Sequence, residues 1–291
     1  MAHPDTMTAT PETPRVVIQP RQGWLPVNWG ELWERRELLY FLTWRDIKVR
    51  YKQTVLGALW AILQPFLTMV VLSVVFKSLL GLDRRLMGAG VQELPYAVFL
   101  FAGLLPWQFF GEAVKRCNDS VITSAPLTQK VYFPRLVIPM ASAGAALVDF
   151  ALSYLILIGL MIYYGLAPGL AILAVVPLAL ATALAAVGVG AFVSALNVAY
   201  RDFRYVVPFV LQIWFYTTPL IWALRKVPPA WRPLVALNPM CGIVEAYRWA
   251  ILPGWDLDVA ALATSLAMSL WLFLVGLRFF RRLERQFADI L

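Results

Sequence analysis

The sequence predicts an all-α integral membrane protein with six transmembrane helices, an N-terminal amphipathic interfacial helix and two short re-entrant helices between spans five and six. Apolar residues make up 60% of the 291 positions and charged residues 14%, whereas a soluble domain is about half apolar and about a quarter charged. Apolar runs long enough to cross a bilayer recur along the chain. Lys and Arg gather in alternate connections between those runs, as in membrane proteins of fixed orientation.

The N-terminal region divides at about residue 27. Residues 1–27 contain five prolines among polar side chains and are predicted to be a flexible cytoplasmic tail. Over residues 28–54 the aromatic and apolar side chains recur at three- and four-residue steps with charges between them, which predicts an interfacial helix. An amphipathic helix packed on a soluble partner is the alternative, and the two are compatible if the partner lies against the membrane. The residues expected to define this helix are Trp33, Arg45, Asp46, Lys48 and Arg50.

Residues 55–278 form the predicted transmembrane domain, and residues 279–291 a cytoplasmic tail. Pro65 is expected to kink the first span. Asp149 lies well inside the third span, where a carboxylate is by default a candidate functional residue. The alternative is a protonated or hydrogen-bonded packing residue, which we favour because the sequence offers no evident proton-relay partner. The six predicted spans are residues 55–80, 96–113, 136–164, 170–198, 206–223 and 259–277.

The distribution of basic residues predicts that both termini lie in the cytoplasm. Of the 25 Lys and Arg residues, this topology places 18 inside and six outside, with Lys77 within a span. That three-to-one asymmetry satisfies the positive-inside rule. Topology thus accounts for the net charge of +8, and no nucleic-acid partner is expected.

The charged stretch 114–136 is predicted to be a cytoplasmic loop containing a short helix in the membrane plane. Val121, Ile122 and Leu127 fall near one face of such a helix, which would offer a contact to a protein outside the membrane. The residues assigned to this contact are Cys117, Asn118, Ser120, Val121, Ile122, Leu127 and Lys130.

Residues 228–254 are interrupted by prolines and form two apolar pieces too short to span. Pieces of about 10–14 residues are typical of re-entrant or interfacial helices. Glu245 and Arg248 are spaced to pair across one helical turn.

Catalytic and metal-binding patterns are missing from the sequence. It has no phosphate-binding Gly-x-x-x-x-Gly-Lys-Ser/Thr motif, and its single histidine, His3, lies in the tail, so no Ser/His/Asp triad or zinc site is expected. Aromatic side chains are abundant instead. They are typical of interfacial belts, but within a conduit they would stack on sugar rings. The aromatic residues proposed for such a path are Trp60, Phe66, Trp107, Phe110, Trp214 and Tyr216.

Several motifs in order resemble the membrane-spanning subunits of ABC exporters of the polysaccharide family, which move O-antigen, capsule or teichoic-acid polymers. The resemblance extends over nearly everything from Trp29 onward. Its motifs are residues 45–57 (RDIKVRYKQTVLG), 60–65 (WAILQP), 103–107 (GLLPW), 130–135 (KVYFPR), 197–202 (NVAYRD), 237–240 (LNPM), 245–248 (EAYR) and 287–290 (FADI).

The resemblance implies a homodimer in the bacterial inner membrane, paired with two cytoplasmic ATPase subunits that bind ATP and Mg²⁺. It also implies a coupling helix within residues 114–136 and outer gate helices within 228–254, with Asn238, Pro239, Glu245 and Arg248 as the gate residues. This chain would then be a transport subunit, with no cofactor and no catalytic residue of its own.

The expected cargo is a lipid-linked polysaccharide, with O-antigen as the first candidate. Teichoic-acid or capsule export is the near alternative, and export of small lipids or drugs a more distant one. A membrane-embedded glycosyl-transfer enzyme is the alternative from another functional class.

Overall fold

A computed structural model describes residues 29–52, 59–87, 94–128, 133–167, 169–285 and 287. Regular structure in these residues is helical throughout, with no strand. A π-helical segment, Val74–Leu79, and two 3₁₀ segments, Leu170–Ala174 and Leu224–Lys226, supplement the α-helices. The α-helices are α1 (Trp29–Glu34), α2 (Arg36–Lys52), α3 (Leu59–Ser73), α4 (Asp83–Met87), α5 (Tyr96–Thr123), α6 (Ala125–Thr128), α7 (Val137–Tyr163), α8 (Val175–Ala199), α9 (Phe203–Thr217), α10 (Arg232–Ala236), α11 (Pro239–Ile251) and α12 (Val259–Glu284).

Five helical stretches in the described part are long and apolar enough to cross a membrane. They correspond to the first four predicted spans and the sixth. Helix α3 runs through Pro65 without interruption, and the departure from α-helical geometry comes later, in the π-helical segment. The five stretches are Leu59–Leu79, Tyr96–Thr123, Val137–Tyr163, Leu170–Ala199 and Val259–Glu284.

The predicted fifth span, residues 206–223, is helical only in its first part. Helix α9 has 15 residues and ends at Thr217, and Thr218 adopts an extended conformation with φ −87° and ψ 139°. Thr218 precedes Pro219, and the proline ring disfavours helical geometry in the residue before it. The chain therefore continues irregularly from Thr218 to the 3₁₀ turn at Leu224.

Helix α5 is the centre of the packing. In its most apolar 18-residue window 83% of the residues are buried, against 17% for the stretch containing α3. Around it, small residues let helix backbones approach closely. A Cβ atom added to Gly276 of α12 would lie 2.0 Å from the Gly188 carbonyl oxygen of α8, and one added to Gly242 of α11 would lie 2.0 Å from the Ala261 carbonyl oxygen of α12.

The segment predicted to be an interfacial helix, residues 28–54, forms α1 and α2 within the described residues, and α2 packs along α7. Thr43 donates to the Ala141 carbonyl oxygen at 3.4 Å, and Ser142 donates to Asp46 Oδ2 at 3.2 Å. The other faces of α1 and α2 expose Trp33 and Trp44, with basic side chains over both rings. Aromatic rings beside basic groups are what a helix at headgroup depth requires.

Candidate functional site

A cavity of about 410 Å³ lies among α3, α5, α7 and α9, with Arg50 at the end of α2 on its rim. It reaches from Leu105 to Lys115 along α5, which corresponds to about 15 Å of helix. Its lining comprises Arg50, Ala61, Gln64, Pro65, Leu105, Trp107, Gln108, Phe109, Gly111, Glu112, Lys115, Ala146, Asp149, Phe150, Ser153, Pro208, Leu211, Gln212 and Phe215.

Aromatic rings form part of the cavity wall in two contacting pairs. The rings of Trp107 and Phe215 are 6.1 Å apart and those of Phe109 and Phe150 5.3 Å apart, centroid to centroid. Such contacts fix the orientation of each ring. The wall therefore presents ordered aromatic surfaces to the cavity.

Four hydrogen-bond donors also face the cavity without partners: the side chains of Gln64, Gln108, Lys115 and Gln212 line it and make no hydrogen bond or ion pair within the part of the chain that the structure describes. Polar groups at membrane depth are costly unless they find partners. The cavity therefore offers hydrogen-bond donors to a ligand that is rich in oxygen atoms.

A charged cluster closes one end of the cavity and ties α2, α5 and α7 together. Arg50 Nη1 and Arg116 Nε each donate to Glu112 Oε1 at 2.9 Å, and Arg50 Nη2 lies 3.3 Å from Asp149 Oδ2. Arg116 also pairs with Asp149, and the Tyr51 hydroxyl donates to Asp149 Oδ1. Burial raises the pKa of Tyr51, and its hydrogen bond to Asp149 raises it further, so the hydroxyl remains a donor.

This cluster refines the interpretation of Asp149. Its side chain is hydrogen-bonded within the bundle, and its partners are the two arginines, Arg50 and Arg116, and Tyr51. Those arginines lie at the end of α2 and near the end of α5, far apart in sequence, which is why the sequence did not reveal them. Gln64, Gln108 and Gln212 could have been recognised from the sequence as residues of an internal site, because a polar side chain within an apolar span usually faces the protein interior.

The six aromatic residues proposed for a substrate path do not form one surface. Trp107 lines the cavity, whereas Phe110 is completely buried and packs against Trp107 and Trp214 at 5.6 and 5.2 Å. Phe110 is therefore a core residue and does not line the cavity. Trp60 and Tyr216 are exposed on the outside of α3 and α9, and Phe66 packs partly buried against the core.

Trp214 lines a second, smaller cleft of about 150 Å³ between α5, α8 and α9, whose wall is entirely apolar. Leu211 lines both the cavity and the cleft. The Trp107 and Trp214 rings contact each other edge to face at 6.2 Å, one in each wall. The two spaces therefore lie side by side against α5 and α9.

The predicted loop 114–136 is helical over its first ten residues, because α5 continues to Thr123. Cys117, Asn118, Ser120 and Val121 are buried there, and Val121 joins an apolar cluster with Leu42 and Phe280. The expectation that Val121 shares an exposed face with Ile122 is wrong: Ile122 is exposed, and Leu127 is partly buried against the same cluster. Lys130 lies outside the described residues.

The region assigned to the outer gate contains the predicted ion pair. Arg248 Nη1 donates to Glu245 Oε1 at 3.0 Å within α11, and both side chains are buried. Twelve of the 13 residues of α11 are buried, so this helix is part of the core rather than a surface element. Pro239 is its first residue, and the Asn238 side chain caps it by accepting from Met240 N at 3.0 Å.

The irregular backbone that follows α9 has its polar groups hydrogen-bonded by the side chains of Glu245, Arg248 and Tyr96. Arg248 donates to the carbonyl oxygens of Leu220 and Trp222 at 2.6 and 3.2 Å, and Tyr96 donates to that of Ile221 at 3.0 Å. Glu245 accepts from Leu224 N at 2.7 Å and from Trp255 Nε1 at 2.9 Å. Non-helical backbone at membrane depth is tolerated only when its polar groups have protein or water partners, and these side chains supply them.

Comparison with known proteins assigns this architecture to a family. Residues 37–252 match the ABC-2 type transporter family. The O-antigen export system permease protein RfbA of Klebsiella pneumoniae is 30% identical over 256 residues, which is 88% of this chain and 95% of that protein. RfbA of Myxococcus xanthus is 28% identical over 89% of this chain and 97% of that protein. The polysialic acid transport protein KpsM of Escherichia coli is 24% identical over 82% of this chain and 91% of that protein. With most of its length matched, and with five apolar helices of spanning length, this chain belongs to the ABC-2 type transporter family as a membrane subunit.

Proposed function

We propose that this chain is the channel-forming subunit of an ATP-driven exporter of a lipid-linked polysaccharide, with O-antigen as the first candidate cargo. Transport would run from the cytoplasmic to the outer face of the bacterial inner membrane. One observation carries the proposal: a cavity with aromatic walls and unpaired amides lies in a chain similar over 88% of its length to an O-antigen export permease.

The chemistry of the cavity suits a glycan. Sugar rings have apolar faces that stack on aromatic rings and hydroxyl groups that bond to amides. Trp107, Phe109, Phe150 and Phe215 offer the first kind of contact, and Gln64, Gln108 and Gln212 the second. Contacts of both kinds are individually weak, which suits a polymer that has to slide.

A second copy of the chain would complete the conduit. Helices α3 and α9 border the cavity, yet α3 buries only Ala61, Pro65 and Met69, and α9 only Val207 and Leu211. Apolar side chains such as Val71, Phe209 and Ile213 cover their outer faces. Pairing of these faces in a homodimer would bring two cavities together along one axis.

The topology of the proposed subunit has six crossings and both termini in the cytoplasm. Helix α9 accounts for about 22 Å of rise at about 1.5 Å per residue, and the irregular residues 218–223 continue the chain beyond it. The two together would form the fifth crossing of a hydrocarbon core of about 30 Å. The backbone partners supplied by Tyr96, Glu245 and Arg248 support this route.

Energy would come from two copies of a cytoplasmic ATPase that binds ATP and Mg²⁺, since the chain has no nucleotide-binding motif. The contact is proposed at the end of α5 and at α6, where Ile122 is exposed. Movement there would reach the cavity directly, because α5 also carries Trp107, Gln108 and Glu112. Asn238, Pro239, Glu245 and Arg248 would hold the outer closure between α9 and α12.

Capsular polysaccharide is a second candidate cargo, favoured by the similarity to KpsM over 82% of the chain. Both polymers pose the same physical problem, a hydrophilic chain crossing hydrocarbon. The architecture would serve either one.

Complementation of a permease deletion tests the proposal. The chain is produced together with a candidate partner ATPase from the same organism in a bacterium that lacks its own O-antigen permease. Surface O-antigen should return with both proteins present and should be absent with either one alone. Intracellular accumulation of polymer with both proteins present would reject the proposal, and restoration in a capsule-export mutant alone would favour the second cargo.

A further inference from the structure

The sequence motifs 130–135 and 287–290 meet at one end of the bundle through Arg135 and Phe287. The Phe287 side chain is buried, and the Arg135 guanidinium lies over its ring, 5.8 Å from the ring centroid. A cation at this distance above an aromatic ring is attracted to it. The Phe287 ring also contacts the ring of Phe280 in α12 edge to face at 5.5 Å. Phe287 therefore joins the turn before α7 to the end of α12.

Glu284, the last residue of α12, holds the same turn by hydrogen bonds. Its side-chain Oε1 accepts from Arg135 N at 3.0 Å, and its carbonyl oxygen accepts from Arg135 Nη1 at 3.2 Å. Arg135 lies before the first turn of α7, and a backbone N–H outside a helix depends on a side chain, a turn or water for its partner. The end of α12 supplies that partner and thereby fixes the start of α7.

The apolar cluster that contains Phe287 also lies under the proposed ATPase contact. Val121, near the end of α5, belongs to the cluster, and Leu127 of α6 packs against it. Phe133, which follows α6 in the chain, belongs to it as well. Ile122, in contrast, is exposed. The segment from Val121 to Phe133 thus presents an exposed side to a partner and rests on the cluster at three points.

The end of α12 is in turn packed tightly on the rest of the bundle. Leu277 of α12 shares the cluster with Ala191 and Ala195 of α8. One turn away, the Gly276 and Gly188 backbones approach so closely that a Cβ atom on Gly276 would lie 2.0 Å from the Gly188 carbonyl oxygen. Packed side chains and rigid helices carry coupling between distant sites. A displacement of the turn before α7 would therefore reach α8 and α12.

We infer that Glu284 and Phe287 are positioning residues for the coupling of ATP hydrolysis to export. They hold the α7 end of the ATPase-contact segment on α12, so that a displacement of α6 is passed to α5, α7 and α12 together. Without them the turn before α7 gives way, and part of the displacement is lost before it reaches the spans. The inference rests on the proposed function and deepens it, because it names the residues that keep the ATPase contact in place.

Export measured together with ATP hydrolysis in inside-out membrane vesicles tests the inference. Lipid-linked polymer that reaches the vesicle lumen is protected from an added glycosidase, and the phosphate released in the same sample is corrected for vesicles without the chain. The ratio of protected polymer to ATP hydrolysed is the export ratio. Phe287→Leu removes the ring but keeps apolar bulk, and Glu284→Leu removes the acceptor of Arg135 N. Each should lower the export ratio about fivefold, as for residues that couple distant sites.

Two matched variants separate positioning from general stability. Glu284→Gln keeps an oxygen that can accept from Arg135 N and should retain the export ratio. Phe101→Leu makes the same ring-to-leucine change at another fully buried position, in α5 and outside both the cluster and the cavity. It should lower the thermal unfolding midpoint and leave the export ratio unchanged. An equal loss of export ratio in Phe101→Leu and Phe287→Leu would overturn the inference.

The remaining outcomes distinguish this inference from the proposed function. An unchanged export ratio in either Phe287→Leu or Glu284→Leu would overturn the inference. A smaller amount of assembled chain and ATPase with an unchanged export ratio would overturn it too, because the two residues would then hold only the fold. Absence of export by the unmodified chain would contradict the proposed function and the inference with it, whereas export that neither variant affects would overturn the inference alone.

Discussion

The guanidinium group of Arg248 donates a hydrogen bond of 2.6 Å to the carbonyl oxygen of Leu220, 28 residues earlier in the chain. This bond joins α11 to the irregular segment after α9. The same group stacks on the Phe99 ring at 3.8 Å and pairs with Glu245, so one fully buried side chain connects α5, α11 and the non-helical backbone. Sequence spacing predicted the pair with Glu245, but it contained no information about Leu220.

Arg248→Met is expected to destabilise the protein by roughly 3–5 kcal/mol, because it leaves Glu245 charged, buried and without its partner. It also leaves two backbone carbonyls unsatisfied. Thermal unfolding in detergent can be followed with a thiol-reactive dye, since Cys117 and Cys241 are both buried and free. Lys226→Met, at an exposed position, is the control and should leave the midpoint unchanged. An equal midpoint for both variants would show that Arg248 does not hold this segment.

Gly103→Ala is expected to disturb the same network from the opposite side. A Cβ atom at position 103 would lie 2.9 Å from Arg248 Nη2 and 3.3 Å from Val244 Cγ1, and the hydrogen bonds of Arg248 prevent it from moving aside freely. We expect a loss of about 1–3 kcal/mol, as for other overpacked cores. Gly111→Ala on the same helix meets nothing within 4 Å and should not destabilise. The same thiol-labelling assay compares the two variants, and equal midpoints would contradict the packing described here.

Asp149→Asn should loosen α2 from the bundle. Asp149 accepts a hydrogen bond from Tyr51 and forms ion pairs with Arg50 and Arg116. Loss of its charge leaves Glu112 as the one carboxylate of this cluster that pairs with the two arginines. We expect a decrease of about 2–3 kcal/mol in stability and faster proteolysis within α2. Asp46→Asn alters a carboxylate that pairs with the exposed Arg45 and accepts from Ser142; the amide oxygen of asparagine can still accept from Ser142, so the change should cost less than about 1 kcal/mol. Comparable proteolysis rates in the two variants would show that Asp149 does not anchor α2.

Ile122→Asp is the informative test of coupling to the ATPase. Ile122 is exposed at the end of α5, so an aspartate there should leave the fold intact. Export should decrease, and the membrane subunit should have less effect on the rate of ATP hydrolysis by the ATPase. Val121→Asp would bury a charge in the cluster around Leu42 and Phe280 and should reduce the amount of folded protein instead. Full export by a well-folded Ile122→Asp variant would show that the ATPase contacts another part of the chain.

The sequence predicted the all-helical fold and the five helices of membrane-spanning length, because long apolar runs follow from the solvent properties of a bilayer. Its predictions failed where local interactions outweighed the overall hydrophobicity of a segment. Residues 218–223 are apolar enough for a helix, but Thr218 precedes Pro219 and the helix ends there. Residues 114–123 are polar enough for a loop, yet they continue α5, because Cys117, Asn118 and Ser120 are buried against neighbouring elements.

The site was predicted less completely than the fold. Aromatic residues were recognised by type, but only the fold decides that Trp107 faces the cavity and Phe110 the core. The cavity's charged end joins Arg50, Glu112 and Asp149 across three helices. Such long-range pairing has no local sequence signal, whereas the isolated glutamines of the spans did have one.

Photo-crosslinking in cells that export polymer tests the central claim most directly. A photoreactive amino acid replaces Gln108, which lines the cavity, or Ile162, which is exposed on the outside of α7. Illumination should attach glycan to the position 108 variant, seen as a polymer-dependent increase in mass, and should leave the position 162 variant unmodified. Equal attachment at both positions, or attachment at 162 alone, would contradict a polysaccharide path through this cavity.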